Sequence, residues 1–263
     1  MFKQGQSPLN RNKGRVIAVT GKGGTGKTAL TAIMVKILVR DSRLKMLVID
    51  ADSAISLPQT LGVQMEKTVN DVREEIIENP EARSKLADTH IRTVIESIVK
   101  QEGGIHLLVM GRPEGPGCYC AINDLLKYGI ETLSRDFAVT IIDGEAGPEQ
   151  INRRVLQNVD TLIIVADTSI RSLQTASSIR HIAQAGEAVR FSQIGLVINR
   201  VREKSNAIAQ SAQQIDIKIL GYIPEDENIT KYDLAGKPML KLPDSSPGVI
   251  AIEKILREIG LGV

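Results

Sequence analysis

The sequence predicts a doubly wound α/β fold, a mostly parallel β-sheet with helices on both faces. Short β-branched runs alternate with longer helical stretches along the 263 residues. The runs are continuously apolar rather than alternating, as strands covered on both faces require. The stretches between them are long enough for the helical crossovers that join parallel strands.

Val16–Thr20 reads as the first strand and Thr28–Arg40 as the helix after it. Lys45–Asp50, Ile105–Met110, Ala138–Asp143, Thr161–Ala166, Gly195–Asn199 and Ile219–Ile223 follow as strands two to seven. Between the second and third, Thr68–Arg83 and Ser84–Lys100 read as helices. Thr68 and Asp71 form a capping box for the first of these, and Pro80 interrupts it. Val249–Ile259 reads as a last helix, with apolar residues at 249, 250, 252, 255, 256 and 259 forming a stripe suited to docking on the core.

Residues 15–263 are expected to form one domain, since no linker or internal repeat divides them. Residues 1–14 carry Lys3, Arg11 and Lys13 without an acid, and are expected to form a basic, flexible arm. A formal charge of +2 gives no general argument for nucleic acid or membrane as a partner. Aromatics at 3% and the absence of Trp weigh against base-stacking platforms. Two cysteines exclude a disulfide framework. No apolar run resembles a secretory signal or spans a bilayer, so cytoplasmic residence is expected.

Gly21-Lys22-Gly23-Gly24-Thr25-Gly26-Lys27-Thr28 fits G-x-x-x-x-G-K-[ST] between a strand and a helix. Glycines let successive N–H groups converge on phosphate oxygens, and the helix N-terminus adds its positive dipole end. Gly23, Gly24, Thr25 and Gly26 are therefore candidate ATP contacts. Lys27 would reach the β- and γ-phosphates and Thr28 would offer its hydroxyl to Mg²⁺. Strand two ends in Asp50-Ala51-Asp52 and strand four in Asp143, at the carboxyl edge where open α/β sheets bind ligands. Asp143 is the second candidate Mg²⁺ residue.

With its extra lysine, Lys22, this loop resembles the deviant Walker A motif of the MinD/ParA/nitrogenase-iron-protein superfamily of P-loop ATPases. The resemblance implies that Lys22 crosses a face-to-face homodimer to the partner's phosphates, and that Asp52 orients the attacking water. It also implies that Gly144-Glu145-Ala146-Gly147 is switch II, with Gly147 sensing the γ-phosphate. Asn199, followed by Arg200, takes the position that reads adenine, and Pro224 and Glu225 lie in the segment that contacts the base. Two positions depart from the pattern: Ala29 stands where a Thr or Ser is frequent, and Ser53 replaces a common proline of switch I.

Cys118-Tyr119-Cys120 ends a Gly- and Pro-rich run, which favours accessible thiols over buried inert ones; metal ligation by the pair is what the resemblance given below implies. Two thiolates cannot complete a tetrahedral site, but two chains can, holding Zn²⁺ tetrahedrally or Ni²⁺ in a square plane. The run MGRPEGPGCYC, with IIDGEAG and Arg153-Arg154 after it, resembles the CooC group of nickel-insertion ATPases. That resemblance implies carbon monoxide dehydrogenase, or the related acetyl-CoA synthase, as the client. Arg153-Arg154 fits phosphate or client docking and a solvated helix face equally. An iron–sulfur ATPase of the nitrogenase-iron-protein type is the alternative, since four thiolates also hold a cluster. A MinD- or ParA-type positioning ATPase is less favoured, because Glu253, Lys254, Arg257 and Glu258 cancel the charge that a membrane helix needs. His90, His106 and His181 read as surface or core residues.

Overall fold

A computed structural model describes residues 14–79, 90–112, 120–145, 158–185, 190–202 and 216–262. In chain order these form β1 (Arg15–Gly21), α1 (Lys27–Leu38), β2 (Met46–Asp50), α2 (Leu57–Leu61), α3 (Val69–Glu78), α4 (Ile91–Ser97), β3 (Lys100–Glu102) and β4 (Ile105–Val109). They continue with α5 (Cys120–Ser134), β5 (Val139–Asp143), β6 (Asn158–Ala166), α6 (Ile170–Ala185), β7 (Arg190–Val201) and β8 (Lys218–Pro224). α7 (Glu227–Leu234), a 3₁₀ turn (Met239–Lys241) and α8 (Pro247–Glu258) follow.

The eight strands make one sheet in the order β3-β4-β2-β5-β1-β6-β7-β8. All neighbours are parallel except β3 and β4. Successive strand residues bury on opposite faces. Ile17 and Val19 join the layer under α1 and α8, whereas Ala18 joins the layer with residues of α3, α4 and α6. Both faces are covered, as the continuous apolar runs require. After β1 the chain moves to the β2 side, returns to β5 beside β1, and crosses to β6 on β1's other flank. That reversal opens a crevice at the carboxyl ends of β1, β5 and β6.

The expected strands all form, and Thr68 and Asp71 make the reciprocal capping box of α3. Asn79, which precedes Pro80, leaves the helix in an extended conformation. The Ser84–Lys100 helix is corrected. Residues 80–89 lie outside the described residues, Ile91–Ser97 is helical, and Lys100 already belongs to the antiparallel edge strand β3. Gly103 and Gly104, with φ of 56° and 82°, supply the left-handed turn that reverses the chain into β4. β7 is also longer than Gly195–Asn199, because its first half pairs with the extended β6. α8 docks through most of the expected stripe, with Val249, Ile252, Ile255, Leu256 and Ile259 buried, whereas Ile250, one position off that face, stays exposed. The arm expected at residues 1–14 lies outside the described residues except for Gly14.

Candidate nucleotide site

The phosphate loop leaves the central strand β1 and enters α1 at Lys27, which is buried. Gly21 has φ 146°, and a Cβ there would meet the Val165 carbonyl oxygen at 2.2 Å. Gly26, the N-cap, has φ 90°, and its Cβ would strike Asn199 Nδ2 at 2.5 Å. Only glycine fits at either position. The buried Thr25 closes the loop, its hydroxyl and amide donating to the Lys22 carbonyl at 2.8 and 3.3 Å. Gly23 and Gly24 face open space, where an added Cβ would meet nothing within 4 Å.

Asp143 ends β5 fully buried beneath this loop. Its Oδ1 accepts from Thr31 Oγ1 at 3.2 Å, whereas its Oδ2 has no hydrogen-bond partner. Burial pushes its carboxyl up to about 6, against the pull of the nearby Thr28 hydroxyl, then of the Lys27 ammonium and the Thr31 hydroxyl. A buried carboxylate oxygen without a donor is costly to the bare protein. It is also the hard donor that Mg²⁺ takes, so Asp143 and the neighbouring Thr28 hydroxyl fit that ion.

Asp50 lies directly across the sheet from Asp143 in the β2–β5 register and is equally buried. Burial, with the Asp143 charge beside it, pushes Asp50 up to about 7. Its oxygens accept from the amides of Asp52 and Leu57, each at 3.1 Å, and so hold both ends of the loop between β2 and α2. Within that loop Asp52 Oδ1 accepts from Ala54 N at 2.9 Å, and Ile55 adopts φ 52°. That conformation is rare for a β-branched residue. Ser56 Oγ lies 3.4 Å from Thr28 Oγ1. Ser53 donates its hydroxyl to the Glu145 carboxylate.

A cleft of about 680 Å³ runs from Gly23, Gly24, Thr28 and Asp52 to Asn199, Arg200, Pro224 and Glu225. Asn199 Nδ2 donates to the Thr25 carbonyl at 2.8 Å and its Oδ1 accepts from Arg200 N at 2.9 Å, so this amide braces the phosphate loop. Glu225 makes a two-point contact with Arg202, at 2.7 and 3.1 Å, which lowers its carboxyl. The next residue, Asp226, caps α7 through Asn228 N at 2.9 Å. It also accepts from Gly248 N, at 2.8 Å, and from the Ser246 hydroxyl at the start of α8.

Residues 16–239 match the model of the CobQ/CobB/MinD/ParA nucleotide binding domain. The chain belongs to this family. It is an ATPase of the MinD/ParA type. An uncharacterized ATP-binding protein of Methanocaldococcus jannaschii is 41% identical over 251 residues, covering 93% of this chain and 98% of its own. The carbon monoxide dehydrogenase accessory protein CooC of Rhodospirillum rubrum is 31% identical over 88% of this chain and 90% of its own. The septum site-determining protein MinD of Pyrococcus horikoshii, solved with Mg-ADP, shares the fold at a TM-score of 0.66 and 22% identity, covering 94% of this chain and 96% of that one.

Of the MinD/ParA-type residues expected from sequence, Gly23, Gly24, Gly26, Lys27, Thr28, Asp52, Asn199, Arg200, Pro224 and Glu225 line this cleft. Gly147, Cys118, Arg153 and Arg154 lie outside the described residues. Cys120 opens α5, and only its backbone is described. Among the described residues no group of three or more His, Cys, Asp or Glu could hold a metal ion. Among them, no helix is long and apolar enough to cross a membrane. Sequence reading missed the contacts of Asp50, Thr31 and Ser56. Thr31 carried a usable signal, because it follows Thr28 by three residues and so shares its helix face.

Proposed function

We propose that this ATPase is a cytoplasmic metallochaperone that closes as a homodimer around MgATP and inserts nickel into carbon monoxide dehydrogenase or the related acetyl-CoA synthase. Residues 15–263 act in this reading as one ATPase domain behind a basic arm. The observation that carries the reading is the Cys118-Tyr119-Cys120 segment that enters α5. β4, the strand before that segment in the sequence, is parallel to β2 and, through β5, to β1, so its own carboxyl end at Val109 lies at the edge that bears the phosphate loop. The 31% identity to CooC supports the same cargo. The buried apolar face of α8 weighs against its use as a membrane anchor of the MinD kind.

In this mechanism Gly23, Gly24, Thr25 and Gly26 cradle the phosphates, and Lys27 holds the β- and γ-oxygens. Thr28 and Asp143 would hold Mg²⁺, which supplies charge neutralisation to the phosphates when bound. Asp52, fixed by its own turn to Ala54, positions the water whose oxygen bonds to the γ-phosphorus as the bond to ADP breaks. Lys22 reaches the partner's phosphates, and Gly147 follows the γ-phosphate. Asn199, Arg200, Pro224 and Glu225 border the base. Cys118 and Cys120 of two chains share the nickel or zinc cargo, and hydrolysis loosens that site.

Metal per dimer, measured after anaerobic loading with Ni²⁺ or Zn²⁺, is expected to be one for the unaltered chain and near zero for Cys118→Ser, with ATPase retained. Equal metal in both proteins would remove the cargo and leave the ATPase. Lys22→Ala is expected to lose ATP-dependent dimers by light scattering; undiminished dimers would contradict its reach across the interface.

A further inference from the structure

We propose that Ser53 and Glu145 are a positioning pair that ties the loop of Asp52 to the end of β5 and sets the hydrolytic rate. The inference rests on the ATPase mechanism above and concerns how its water-positioning carboxylate is held.

Glu145 is anchored on the phosphate-loop side. Its carbonyl accepts from Thr20 Oγ1 at 2.8 Å, one residue before the loop begins, and the preceding Gly144 donates to the Val19 carbonyl at 2.9 Å. Its side chain reaches the other way, across 92 positions of sequence, to take the Ser53 hydroxyl. One residue thus joins β1, the end of β5 and the loop after β2. Ser53 is the neighbour of Asp52, so whatever moves Glu145 pulls on the residue that positions water.

The loop needs such a hold. Ile55 stands in the left-handed region at φ 52°, a conformation that β-branched side chains avoid. Asp50 grips the loop at Asp52 N and Leu57 N, at its two ends. Ser53 supplies a grip between those ends, and that grip comes from a segment two residues beyond Asp143. A change at the γ-phosphate felt by the segment after β5 therefore has a direct lever on Asp52. A proline at position 53 has no hydroxyl, so this lever belongs to chains that carry a donor there.

The test is steady-state ATP hydrolysis by the full chain with Mg²⁺. Ser53→Ala is expected to lower kcat about tenfold with KM for ATP changed less than about twofold, the signature of misplaced chemistry rather than lost binding. Ser53→Thr keeps the hydroxyl and should restore kcat to within about twofold. Glu145→Gln keeps an acceptor without the charge and should fall between them. Ser53→Ala combined with Glu145→Gln should be no slower than Ser53→Ala alone, because both remove one link. As a measurement free of turnover, hydrogen exchange in residues 51–57 should slow with a non-hydrolysable ATP analogue relative to ADP, and Ser53→Ala should abolish that difference. An unchanged kcat in Ser53→Ala, or multiplicative losses in the double variant, overturns the pair while the ATPase stands. An unaltered chain that neither hydrolyses nor binds MgATP overturns the ATPase mechanism, and the pair with it.

Discussion

Each end of the cleft buries an aspartate, and the two are treated in opposite ways. Asp143 at the phosphate end is 0% exposed and keeps one oxygen without a donor, so burial drives its carboxyl up to about 6. Asp226 at the other end, next to Glu225, is 6% exposed, and burial pushes it up as well. The Ser246 hydroxyl and the amides of Gly248, Asn228 and Ile229 outweigh that push and leave it lowered. The Asp226 end is finished by the protein, with α7 and α8 tied to one carboxylate. The phosphate-loop end keeps an oxygen that, in the mechanism proposed above, a cation would take. A nucleotide ATPase gains from that asymmetry, because a site completed only by its ligand is free to change shape when the ligand changes.

Asp143→Asn is expected to give the largest effect and to separate activity from stability. Hydrolysis should fall by roughly a hundredfold or more if, as proposed above, this carboxylate is one that holds Mg²⁺. The nucleotide-free protein should nevertheless gain stability at alkaline pH. The folded value of Asp143 stands above the unfolded one of about 3.9, so its contribution is complete below pH ~4 and is lost as pH rises through about 6. At pH 8 the charge costs about 2–3 kcal/mol, so Asp143→Asn should raise Tm by roughly 5 °C there and by almost nothing near pH 4. A Tm that does not rise at pH 8 would mean the phosphate end is already complete. Added MgATP should correspondingly raise Tm of the unaltered chain more at pH 8 than at pH 5.

Asp226→Ala should act in the opposite sense. It strands the Gly248 and Asn228 amides and the Ser246 hydroxyl, at a cost of about 3 kcal/mol, so Tm should fall by roughly 8 °C. Because Asp226 is lowered, its contribution is present above the ordinary carboxylate range and is lost as pH falls through its own folded value. The Tm gap between the two proteins should close in acid. A gap that widens in acid would mean that the carboxylate is not what joins α7 to α8.

The parts of this arrangement legible in the sequence are those with a local signature. The continuous apolar runs located every long strand, the glycine spacing located the phosphate loop, and Thr68 with Asp71 located the start of α3. β3 was missed because three polar residues, Lys100 half-buried and Gln101 and Glu102 exposed, carry no periodicity and owe their strand to the Gly103-Gly104 reversal. The role of Asp50 was missed for a different reason. It depends on a cross-strand register that sets Asp50 opposite Asp143, which no spacing within the chain encodes. Asn199 shows the same limit, since no local signature marks its contact with the Thr25 carbonyl, 174 residues away.

The smallest expected effect tests whether the phosphate end also stores backbone strain. Ile55 at φ 52° and Arg200 at φ 57° are both left-handed, one in the loop after β2 and one near the end of β7. Ile55 is β-branched, with its side chain partly exposed and free of core duty at 37%. Arg200 is unbranched, and its amide is met by the Asn199 side chain. Asparagine accepts this backbone region readily, so Ile55→Asn should stabilise the nucleotide-free protein by about 1 kcal/mol, or roughly 3 °C in Tm. Arg200→Asn should give about a third of that, because an unbranched side chain crowds the left-handed backbone less. A larger gain at position 55 puts the strain beside Asp52, where a ligand-driven change can release it. Equal gains would mean that left-handed backbone costs the same wherever it falls, and that the two ends differ in buried charge alone.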